Sequence, residues 1–121
     1  MNIEQLHQFC ISKKGVTEEF PFDEVTLVFK VMGKVFALVG LDKWEQGESK
    51  INLKCDPERA EELRGEYDSI NPGYHMNKKH WNTITLNDDV SDKLAFELID
   101  HSYNLVIKGL TKKLKEELKA L

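Results

Sequence analysis

Arginine is almost missing from this chain: Arg59 and Arg64 stand against fifteen lysines in 121 residues. The planar arginine fork is the side chain that best matches guanine edges and paired phosphate oxygens. Sequence-specific reading of duplex DNA therefore lacks its usual reader, and both arginines lie among Glu58, Glu61, Glu62 and Glu66. Cysteine is as scarce. Cys10 and Cys55 have neither a CxxC nor a Cys/His spacing, which excludes a disulfide framework and a cysteine-based zinc site. Gly33, Gly40 and Gly47 form neither a GxGxxG fingerprint nor a phosphate loop, so a mononucleotide cradle is also missing. No run approaches the roughly 18 apolar residues that a membrane span needs. The first ten residues, MNIEQLHQFC, carry Glu4 and no long apolar core, unlike a secretory signal or a transit peptide. A cytoplasmic protein without a membrane partner is expected.

What is present is an ordinary globular composition, 40% hydrophobic and 31% charged, with a formal net charge of -4. A chain of this length is expected to form one domain, residues 1–121, burying roughly two-thirds of its unfolded surface. One stretch departs from the acidic balance. Residues 71–86, NPGYHMNKKHWNTITL, hold two histidines, two adjacent lysines, a tyrosine and a tryptophan, with no acid.

Periodicity assigns the elements. Asn2 caps a first helix with Ile3, Leu6, Phe9 and Cys10 at helical spacing, and Gly15 lies past its end. After the turn-like EEFPFD, residues 25–31 alternate as a strand, Met32 to Lys34 turn, and residues 35–41 form a central strand that is apolar on both parities. A loop over 41–49 leads to a third strand at 50–55, where Ile51, Leu53 and Cys55 alternate with Lys50, Asn52 and Lys54. Asp56 and Pro57 open a second helix, and a second hairpin is expected over 67–86, turning at 77–79. Ser91 or Asp92 caps a long helix, and Thr111 re-caps a basic tail whose leucines suit core packing. The class is α+β, a two-layer sandwich with an antiparallel five-stranded sheet and helices on one face, in the order α-β-β-β-α-β-β-α.

Strand parity then gives the open face its chemistry. With Leu27, Phe29, Ile51, Leu53, Ile84 and Leu86 toward the helices, Lys30, Lys50, Asn52, Lys54, Trp81, Thr83 and Thr85 fall on the other side, with Phe36 and Leu38 or their neighbours from the central strand. These positions include no acid, so a basic and partly aromatic face is expected, with the acid on the second helix in the far layer. Such a face suits single-stranded nucleic acid or an acidic protein segment, or simply keeps a sheet soluble.

Catalytic chemistry finds no foothold. His75 and His80 lie across a turn without a Cys or well-placed acid to complete a metal site. The acid pairs at 18/19, 23/24, 61/62 and 88/89 sit where solvated loops or helix faces are expected. Neither an enzyme, a metal nor a cofactor is expected.

Four ordered blocks, EEFPFDEVTLVFKVMGKVFAL at 18–38, INLKCDPERAEELR at 51–64, NPGYHMNKKHWNTITL at 71–86 and HSYNLVIKGLTKK at 101–113, resemble the MmcQ/YjbR family. The resemblance implies a small α+β fold similar to type III secretion chaperones and CyaY-like sheets, and a DNA-binding, double-wing description based on structure. It implies no catalytic residues. The two wings correspond to the turns at 32–34 and 77–80, and Met32 stands where a second glycine is expected. Candidate nucleic-acid contacts are Lys34 on one wing, Asn77, Lys78, Lys79, His80 and Trp81 on the other, and Lys30, Lys50 and Lys54 between. The competing readings are a chaperone-like or dimeric protein-interaction module using the sheet face and Trp81, and a small-ligand site at His75 or His80.

Overall fold

The computed structural model describes residues 1–73 and 76–121. Its elements run α1 (Ile3–Ile11), β1 (Val16–Glu19), β2 (Thr26–Val31), β3 (Lys34–Gly40), α2 (Leu41–Glu45), β4 (Lys50–Lys54), α3 (Pro57–Glu66), β5 (Ile70–Pro72), β6 (Trp81–Thr85), α4 (Asp92–Lys108) and α5 (Lys112–Lys119). The strands form one antiparallel sheet in the order β1-β2-β3-β4-β6-β5.

The expected five strands are six. The added strand, β1, has only Val16 half-buried while Thr17, Glu18 and Glu19 are exposed, so it carries no alternation to read. It exists because its backbone pairs with β2 from Val16 opposite Val31 to Glu19 opposite Val28. The loop expected over 41–49 likewise begins with a five-residue helix, too short to display a helical period.

Each longer helix starts on a side-chain cap. Asn2 and Gln5 form a reciprocal capping box at α1, Asp56 accepts from Arg59 N at α3, Ser91 from Leu94 N at α4, and Thr111 from Leu114 N at α5. These helices present Leu6 and Cys10, Ala60 and Leu63, and Ala95, Leu98, Ile99 and Val106 to the inner sheet residues Leu27, Phe29, Val31, Ile51, Leu53 and Ile84. The opposite face is only partly open: Val28 and Thr83 are buried on it, and Leu38, Asn52 and Thr83 are among the groups lining a groove of about 890 Å³.

One expected outward residue turns in. Phe29 pairs with Ala37 but Lys30 with Val35, which leaves Phe36 as the extra residue of a β-bulge. Phe36 is fully buried and meets Tyr103 edge-on at 5.5 Å between ring centroids. Its carbonyl accepts from Ser102 Oγ at 2.6 Å, and the same hydroxyl accepts from Lys54 N at 2.9 Å. Strands β3 and β4 share only two register pairs, so this one buried hydroxyl completes their pairing. Ser102→Ala strands both backbone groups and should cost about 2 kcal/mol, read as a shift in urea midpoint at unchanged slope.

Candidate nucleic-acid interface

Antiparallel pairing sends the end of β2, the start of β3, the end of β4 and the start of β6 to one end of the sheet. Both wing turns therefore sit at that end, with Lys54 between them. In the first turn Met32 has φ 50 and Gly33 φ 81, the left-handed pair of a two-residue hairpin whose twist matches the strands. This explains why glycine is expected at Met32. The Met32 side chain is partly buried against the core cluster. Lys34 follows, exposed.

The second wing is held by its main chain. Gly73 N donates to Trp81 O at 2.8 Å, and a Cβ at Gly73 would lie 2.9 Å from Trp81 Cβ, so only glycine fits there. Asn77 O accepts from His80 N and Trp81 N, Asn77 Oδ1 accepts from Lys79 N, and His80 O accepts from Cys55 N. Arg64 spans the loop from beneath. Its Nε donates to Asn82 Oδ1 at 2.6 Å, and its Nη2 donates to Trp81 O and to Lys78 O. The side chains of Lys78 and Lys79 are left exposed on an anchored backbone. Asn77 and His80 contribute mainly by shaping the turn, and Trp81 is half-buried on the open face opposite Lys54.

Two candidate lysines separate from this group. Lys30 is paired with Glu19 at 2.7 Å and is largely covered. Lys50 begins β4, pairing with Thr85, so it lies four residues, about 13 Å, from Lys54 at the other end. The expected uniformly basic face is thus interrupted: Glu19 sits beside Lys30, and Asp23, Asp42 and Glu48 line the groove with Lys43 and Lys50. The readings that rested on Tyr74 and His75 lie outside the described residues. Among the described residues no group of three His, Cys, Asp or Glu could hold a metal ion.

Charge separates along the strands, not only between layers. At the wing end, α5 packs over Gly15, where Leu118 would meet an added Cβ at 2.5 Å, and Lys14 Nζ donates to Lys119 O at 3.0 Å. Lys14 and Lys119 therefore lie at this end with Lys34, Lys54, Lys78 and Lys79, where Asp56 also caps α3 just after β4. The basic composition of the tail is legible in the sequence, while its leucine spacing marks only core packing. Loops and caps at the opposite end carry Asp23, Glu24, Asp42, Glu45, Glu48, Asp88 and Asp89. Asp23 is held below its ordinary pKa, chiefly by the Thr26 and Val25 backbone N–H groups.

Beside Lys54, His101 Nε2 accepts from Asp56 N, and desolvation together with Arg59 holds its pKa below the ordinary value. Desolvation pushes the Cys10 thiol up to about 12 and the Cys55 thiol up to about 11, against the opposing pull of Lys13 and Arg59 respectively. Neither is a nucleophile at neutral pH. Ellman's reagent should leave both unreacted in the folded protein and titrate two thiols in urea.

The family model YjbR matches residues 11–105. The chain is 38% identical over 120 residues to "Uncharacterized protein YbdF" of Escherichia coli O157:H7, covering 93% of each chain. It is 33% identical over 110 residues to "Uncharacterized protein YjbR" of Escherichia coli strain K12, covering 91% of each. Among solved structures, a Deinococcus radiodurans protein described by the domain name DUF419 superposes with a TM-score of 0.88 at 44% identity, over 98% of this chain and 88% of that one. A Pseudomonas syringae protein superposes with a TM-score of 0.71 at 30% identity, over 87% of this chain and 98% of that one. By sequence along most of its length and by fold, the chain belongs to the YjbR family.

Proposed function

We propose that the protein is a nucleic-acid-binding module of the cytoplasm, not an enzyme, and that it grips the phosphate backbone with the lysine-bearing end of its sheet. The observation that carries this reading is the register: the turns at 32–34 and 77–80 share one end, and Lys54 lies between them. Among the described residues, Lys34, Lys54, Lys78 and Lys79 form no ion pair, so their charge is available to a ligand.

Both arginines are committed elsewhere, Arg59 to Glu97 at 2.7 Å and Arg64 to the wing. Binding is therefore by phosphate contact, with little discrimination between sequences. Fluorescence anisotropy with labelled duplex and single-stranded DNA at a series of salt concentrations tests this. Four phosphate contacts predict a log-log salt slope of about -3.6 on duplex. Affinity that is undetectable at low salt, or indifferent to salt, rejects the reading.

A further inference from the structure

A second surface lies at the acidic end, on the outer side of α1. A groove of about 760 Å³ runs between α1 and the loop after β1, with Ile3, Phe20, Leu27 and Leu41 as its apolar wall. It adjoins a second hollow of about 530 Å³ that shares Ile3 and Leu41 and adds Trp44. Phe20 is 48% exposed at the rim, beside the half-buried Ile3 and Leu41. The charged residues along the rim are Glu4, Glu18 and Glu45, and neither hollow is lined by a lysine or arginine among the described residues. His7 Nε2 lies 2.6 Å from Glu18, and the amino group of Met1 is held by Asn87 Oδ1 and Asp92.

We infer that this groove is a docking site for a partner protein segment that is amphipathic and basic, an apolar stripe flanked by lysine or arginine. The apolar wall takes the stripe, and the Glu4 and Glu45 carboxylates at its margin take the cations and disfavour acidic competitors. A second copy of the chain is a poorer occupant. Its basic helix α5 has already committed Leu118, which is 7% exposed, to its own core and lacks a free apolar stripe. The groove lies at the opposite end of the sheet from the wings, so occupancy leaves the lysine end free.

The probe is a synthetic leucine-lysine amphipathic helix, with the same peptide carrying glutamate for lysine as its counterpart. Two-dimensional NMR supplies the map, because the Trp44 indole N–H, bonded to Lys50 O, reports on the groove and the Trp81 indole on the open sheet face. The lysine peptide should bind in the micromolar range, shifting the Trp44 indole and the α1 amides. Glu4→Lys/Glu45→Lys should weaken it at least tenfold, whereas Lys78→Glu/Lys79→Glu should not weaken it. Equal binding of the glutamate peptide, shifts confined to other surfaces, no binding at millimolar peptide, or a concentration-dependent dimer formed through this groove would each overturn the inference. None of these outcomes touches the DNA measurement, which uses the other end of the molecule.

Discussion

Lys78→Glu/Lys79→Glu is expected to lower the affinity for DNA roughly hundredfold at about 0.1 M salt. Each phosphate contact at that concentration contributes about eightfold through counterion release, so losing two contributes about sixtyfold, and the new carboxylates add repulsion. The same reasoning predicts that the salt slope flattens by about 1.8. Location is separable from net charge by reversing Lys43 and Lys93, which lie away from the wings and change the total by the same amount. That control should stay within a few-fold of the parent. Equal losses in the two double variants would mean that only total charge matters, and no wing would be needed to explain binding.

Arg64→Leu carries the largest expected cost to stability. Asn82 is 1% exposed and points its amide oxygen at Arg64, which also serves the carbonyls of Lys78 and Trp81. Leucine leaves the Asn82 amide oxygen unpaired in the core and the Lys78 carbonyl to solvent, while Trp81 O keeps its bond from Gly73 N, for a loss of about 3 kcal/mol. In a domain of this size that lowers Tm by about 12 °C. Arg64→Lys should recover only part of this, because a point charge cannot reach three acceptors as a planar fork does. Calorimetry of the two variants decides it, and a loss below about 1 kcal/mol for Arg64→Leu would show that the wing is held without the guanidinium.

The contrast between these residues shows what the sequence could reveal. Lys78 and Lys79 stand out locally, as adjacent cations in a stretch without acids, and the structure leaves both exposed. Arg64 looks from the sequence like one more charge on an acidic helix, since its partners are 14 to 18 residues away. The caps at Asn2, Asp56, Ser91 and Thr111 are legible because capping is a local hydrogen bond with a local residue preference. The alternation of β4 and β6 is legible for the same reason: register puts Asn52 opposite Thr83 and Lys54 opposite Trp81 on the open face.

What escapes is nonlocal. Strand β1 is an edge with exposed side chains, so it is specified by β2's unpaired backbone and not by its own pattern. Phe36 turns inward because a bulge breaks the parity of β3. The acidic end could be recognised only once strand order had gathered loops distant in sequence. Residues 88 and 89 do not resemble residues 42 and 45 in context, yet both pairs sit at the end away from the wings.

Phosphate binding at the wing end is what the proposed function rests on. Chemical-shift mapping of the unaltered protein with a short duplex at low salt tests it most directly. The amides of residues 32–34, 54 and 77–81 should move together and return as salt is raised, while those of residues 20–25 and the Trp44 indole stay still. Shifts centred on residues 20–25, or a spectrum unchanged by DNA at low salt, would contradict it.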